Sequence, residues 1–304
     1  VTAAVADDFR AEVERTWAES DAFGGGDGHP YTVDRVGGGL AVAKTIPMTS
    51  DRSRFHIVID GMQLGEFLDP QEWAYSTTLI AHELVHPLLE RLRWASGAME
   101  GVNFPSHTPS EYARSISRCA FDELRADLVA GMVLGQMFTA TPQDGAPRPM
   151  TIVDVIGDGQ RLSVGEVLDD VVYPGWPDLV QSFRTRRIDL ERMWSTLVSQ
   201  TDQAMTLLAH VEAQAVGTDR TGPLEAEFAG HRGTCLYLGP AWGAILGAGR
   251  QNPLPTLSEF REQEHALLRE GEEAIIQMWE RLGLSFEDLA EPRTFYIHVG
   301  EPAR

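Results

Sequence analysis

Two cysteines in 304 residues, Cys119 and Cys235, cannot build a disulfide framework, and so small a number fits a reducing compartment. No stretch approaches the roughly 20 apolar residues of a membrane span. The chain also lacks a surplus of basic charge: 25 Lys and Arg stand against 45 Asp and Glu, a formal net charge of −20. A surface this acidic repels phosphate backbones and anionic lipid, which argues against nucleic-acid and membrane partners. It serves solubility first, with attraction of cationic substrates as the other use. The first eighteen residues mix acids with alanines and have no basic segment leading into an apolar one, so no signal peptide is visible. A cytoplasmic location is expected, although a processed secreted form also fits. Glycine clusters precede strand-like segments, yet none ends in the Gly-Lys-Ser/Thr of a phosphate loop. Internal repeats and low-complexity tails are missing as well.

What is present is an ordinary globular composition, 43% hydrophobic and 23% charged, in a length that suits one large domain or two packed ones. Val5, Phe9, Val13 and Trp17 recur every four residues and predict an amphipathic helix over about 3–19, ended by the glycine run 24–28. Strand-like pieces at 31–36, 40–46 and 55–59, with a turn at Gly37-Gly38-Gly39, predict a small antiparallel sheet. Helix is predicted over about 70–94, from an N-cap at Ser110 to about Phe138, briefly at 164–171, and at about 188–216 and 257–282. The fold class expected is therefore α+β and mainly α, with a loop around 142–149 separating residues 1–145 from a helical portion 146–304. One continuous domain would also accommodate this pattern.

Within the first long helix stands His82-Glu83-Leu84-Val85-His86. Residues four apart lie one turn above each other, so both imidazoles point the same way and can bind one ion. Glu83 then projects beside the metal, where it can take a proton from bound water. Chance places such a motif in about 2% of chains of this composition. The flanking Leu79, Ile80, Leu84, Val85, Leu88 and Leu89 are expected to supply the buried face. Pro87 is discordant, because proline removes a helical hydrogen bond, and a local kink is expected there. Zinc needs a third protein ligand and an open position. Glu123 is the best candidate, in the next helix, with Asp122 and then His107 as rivals. Asp127, one turn beyond Glu123, can accept the distal N–H of His82 or His86, or else pair with Arg125. Cys119, one turn before Glu123, is either near the metal or a buried structural thiol.

His82-Glu-Leu-Val-His86 with a downstream Glu123-x-x-x-Asp127 resembles the gluzincin branch of zinc metallopeptidases. The wording Asp122-Glu-Leu-Arg-Ala-Asp127 is similar to the second motif of the dipeptidyl peptidase III family, whose first motif usually has one more residue between the histidines. The likeness covers about 82–93 and 121–138. It implies a zincin-like sheet and active-site helices with a helical C-terminal lobe. It also implies Zn²⁺ on His82, His86 and Glu123, Glu83 as base, and Asp127 behind the ligands. Such a hydrolase also needs a donor for the developing oxyanion. Tyr112, His231, Arg232, Tyr237, Tyr296 and His298 are candidates, and the glycine-rich surroundings favour His231 and Tyr237. The expected activity is zinc-dependent hydrolysis of a peptide or small-molecule amide. The alternatives are a zinc lyase or hydrolase acting on another small molecule, and a non-catalytic binding protein on the same scaffold.

Overall fold

The computed structural model describes residues 1–23, 43–61, 73–98, 108–141, 145–216, 218, 222–249, 255–288 and 295–301. The elements run β1 (Thr2–Ala6), α1 (Phe9–Ala18), β2 (Ala43–Pro47), β3 (Phe55–Asp60), α2 (Trp73–Ser96) and α3 (Pro109–Met137). They continue with β4 (Thr139–Ala140), β5 (Arg148–Pro149), α4 (Ile152–Ile156), α5 (Gly159–Glu166) and α6 (Gly175–Arg184). The last are α7 (Leu190–Ala215), α8 (Gly239–Gly249), α9 (Leu257–Arg281), β6 (Leu284–Asp288) and β7 (Phe295–Val299). The fold is α+β and mainly helical, as its sequence predicts. No described helix is long and apolar enough to cross a membrane.

The N-terminus departs from the single helix predicted over 3–19. Thr2–Ala6 is a strand, and α1 begins only at Phe9. Asp8 stops the helix from extending backwards: it sits in an extended conformation and its side chain accepts from Ala11 N at 3.0 Å. The residues before it find their hydrogen bonds on β3 instead. β3 is the centre of a three-stranded sheet, antiparallel to β2 as expected and parallel to β1. Ala6, Phe9, Val13, Ile46 and Val58 form a small core beneath it. The expected strand 31–36, its glycine turn and residues 40–42 lie outside the described residues, as does the glycine run 24–28.

The cap of α3 lies two residues before the predicted one at Ser110. Thr108 is the cap, paired with Glu111 in a reciprocal box, and Pro109 occupies the first turn. α3 packs on α2, α7 and α9, and a large core gathers around it, including Phe121, Leu124, Trp176, Met193 and Trp279. The predicted segment 164–171 spans α5 and a wide π turn, Val167–Val172.

On α2 the predicted apolar face divides. Val85 and Leu89 are buried against Ala126, Val129 and Phe260, whereas Ile80, Leu84 and Leu88 are exposed. The helix repeat explains this, since 85 and 89 share the side that carries the histidines and 80, 84 and 88 fall opposite.

α6 ends at Arg184 in a capped turn. Arg186 N donates to the carbonyl of Phe183 at 2.8 Å, and Arg187 N to that of Ser182 at 2.9 Å. These two bonds form a Schellman motif, whose central residue adopts a left-handed conformation usually given to glycine. Here that residue is Arg186, at φ 57°. A side chain costs roughly 1–2 kcal/mol in that region.

Candidate metal centre

α2 and α3 lie side by side, and the side of α2 that carries the histidines faces Glu123 and Asp127 of α3. His82 Nε2 is 3.2 Å from His86 Nε2 and 3.1 Å from Glu123 Oε2, and His86 Nε2 is 3.9 Å from the same oxygen. Zinc bonded at 2.0–2.2 Å in tetrahedral array requires its donors to stand about 3.3–3.5 Å apart. The donor triangle therefore fits such an ion, and the donor types suit it. One of the two rivals to Glu123 as third ligand is engaged elsewhere. Asp122 turns away to pair with the buried guanidinium of Arg93, and His107 lies outside the described residues.

Asp127 stands behind the triangle and bridges two imidazoles. It accepts from His82 Nδ1 at 2.6 Å through one oxygen and from His210 Nδ1 at 2.8 Å through the other. Burial opposes its charge, but the His210 and His82 rings outweigh that and hold its carboxyl at about 2. An ionised carboxylate only accepts, so both Nδ1 atoms carry the hydrogen. Arg125, the alternative partner for Asp127, pairs with Glu264 on α9.

The same charges act on the other members. Burial would lower the His82 pKa, yet Asp127 and Glu123 raise it well above the ordinary imidazole range. His210 is raised likewise by Asp127 against burial. Glu123, despite burial, is held well below the usual carboxylate range by His86 and His82. The metal-free centre is thus a compact ionic cluster. Metal must displace the proton from His82 to enter.

His210 is the residue that sequence reasoning missed. It comes from α7, 83 positions from its Asp127 partner, and its Nε2 faces Glu123 Oε2 at 3.9 Å. The available signal was an imidazole inside the apolar run Leu207-Leu208-Ala209-His210-Val211.

Glu83 is 7% exposed and belongs to α2, but its partner is on the sheet. Thr45 Oγ1, on β2, lies 2.6 Å from Glu83 Oε2 and 3.1 Å from the Glu83 carbonyl. Pro87 explains why that carbonyl is available, because the residue four positions on has no N–H to give it. α2 runs through Pro87 as one helix. The Thr45 hydroxyl has a single hydrogen, which the shorter contact gives to the Glu83 carboxylate, while the freed carbonyl lies beside the same hydroxyl. Thr45→Val keeps the shape and deletes the donor. Urea denaturation is expected to show a loss of about 1–3 kcal/mol, whereas Thr45→Ser should lose much less.

The expected oxyanion donors are not brought together with this cluster. His231 Nε2 meets Asp169 at 3.1 Å and its Nδ1 accepts from Gly233 N. Tyr237 is buried in the main core, edge-on to Trp176, and burial raises its pKa. Their glycine-rich segment is helical: a π turn, Thr234–Leu238, leads into α8. The glycines permit backbone packing there, since a Cβ on Gly239 would stand 2.8 Å from the Thr234 carbonyl oxygen. Of the other candidates, Tyr112 packs on Trp194, Arg232 stacks over Tyr173, His298 pairs with Glu287 and Tyr296 is exposed. Cys119 is a free thiol at an exposed position. No protein-family model, curated protein or solved structure matches the chain.

Proposed function

We propose that this chain is a zinc-dependent hydrolase of peptide or amide bonds, with His82, His86 and Glu123 holding the ion. The observation that carries the reading is the donor triangle on two adjacent helices, with a buried carboxylate, Glu83, following the first ligand. Zinc bound there supplies a Lewis acid for the carbonyl and lowers the pKa of a water. Glu83 takes the proton from the attacking water and delivers it to the leaving amine. Thr45 holds the Glu83 carboxylate in one orientation through the 2.6 Å hydrogen bond. Asp127 fixes the His82 ring so that Nε2 faces the ion. His210 in its protonated form, turned by the same carboxylate, would donate its Nε2–H to the carbonyl oxygen as that atom gains charge.

Elemental analysis of purified wild type and Glu123→Ala tests the ligand set. About one zinc per chain is expected in the wild type, with loss or marked weakening in the variant. A wild type that takes up no metal when zinc is offered would overturn the reading and favour a non-catalytic binding protein.

A further inference from the structure

A concave opening of about 880 Å³ lies at the turn between α6 and α7, and none of the metal-centre residues lines it. That volume is within the range of small-molecule sites, roughly 300–1,000 Å³. Arg184, Arg186, Arg187 and Arg192 all line it. In a chain of net charge −20, the stretch from Ser182 to Arg192 carries four arginines against Asp189 and Glu191. Among the described residues none of the four guanidinium groups forms an ion pair, and Arg184 Nη2 is shielded from water with no hydrogen-bond partner. Asp189 is the one acid in the lining. It is occupied in capping α7, where its carboxylate accepts from Arg192 N at 2.7 Å.

Four like charges gathered on one concavity repel each other, an arrangement that a multivalent anion relieves. Arginine's planar fork suits phosphate oxygens, which it can bind two at a time. Ile297 and Val299, on one face of β7 by strand alternation, add an apolar wall that strengthens charge interactions beside it. The left-handed Arg186 is an independent sign. A glycine would hold that turn without strain, so the arginine stands there at a cost to the fold, and such strain gathers at ligand sites.

We propose that this cavity binds a small ligand carrying two or more phosphate groups, at a site separate from the metal centre. The inference does not rest on the hydrolase reading. The probe is inorganic pyrophosphate, titrated calorimetrically into the full chain at constant ionic strength. Because pyrophosphate also chelates zinc, the titration is repeated in a Glu123→Ala background under metal-free conditions. Saturable binding of one pyrophosphate per chain is expected in both proteins. Arg184→Ala with Arg187→Ala should weaken it tenfold or more. Arg186→Gly should weaken it several-fold while raising the thermal midpoint by about 2 °C, a gain that rules out misfolding as the cause. No saturable heat in the metal-free protein, or affinity unchanged in both variants, would overturn the proposal.

Discussion

Glu83→Gln is expected to keep about one zinc per chain and to lose turnover by roughly 10²–10⁴-fold, the usual contribution of a positioned proton carrier. The amide keeps the size of the carboxylate and can still meet the Thr45 hydroxyl, so the local structure should survive. What it cannot do is accept a proton. Digestion of a peptide library, read by mass spectrometry, supplies the rate once a cleaved sequence is known in the wild type. Retention of near wild-type turnover would remove Glu83 from the mechanism. Loss of both metal and turnover would instead make the residue part of the ion's support.

Glu264→Ala should produce the largest loss of stability, about 3–5 kcal/mol by denaturant unfolding. This carboxylate, 1% exposed on α9, pairs with Arg93 of α2 at 2.8 Å and with Arg125 of α3 at 2.6 Å. Arg93 would keep Asp122 and Glu90, but among the described residues Arg125 would keep the side-chain oxygen of Gln263, its stacking on Phe121 and Phe260, and no direct ion pair. An unpaired buried cation is what makes the change severe. Removing both partners in Glu264→Leu with Arg125→Met should therefore recover much of the loss. Acid should act on the same network. Burial works to raise the Glu264 pKa, but Arg93 and then Arg125 hold it at about 2. A lowered carboxylate contributes stability that is present above its ordinary 4.5 and disappears as pH falls toward 2. Asp127 behaves alike from 3.8 to about 2. Unfolding free energy of the metal-free protein should fall across that window, less steeply in Glu264→Ala. An identical pH profile in both proteins would contradict the assignment.

The legible part of the centre was the part written in helical spacing. His82 and His86 lie one turn apart, as do Glu123 and Asp127, so each pair could be placed on one helix face without tertiary knowledge. The pairing of the two helices and the choice of Glu123 over Asp122 followed from that geometry. The choice is reinforced by something spacing does not reveal, because Asp122 is claimed by an arginine 29 positions away. His210 and Thr45 reach the cluster from α7 and β2 by packing; the apolar run around His210 marks the imidazole without naming its partner, and no local pattern points to Thr45. Pro87 came nearest to a clue. The sequence predicts a local kink there; what spacing leaves out is that the freed Glu83 carbonyl comes to lie 3.1 Å from the Thr45 hydroxyl. The N-terminal strand was hidden for a related reason: a four-residue apolar recurrence looks helical until Asp8 is recognised as a cap and β3 as a partner.

The shared carboxylate of Asp127 ties two rings on different helices to one setting. Because both Nδ1 hydrogens point at the same anion, the ring proposed to hold the ion and the ring proposed to face the reacting oxygen share one electronic control. A change there cannot adjust metal affinity and proton donation separately; it moves both together. Tuning one property alone has to come from Glu123 or from α7, where the two rings part company.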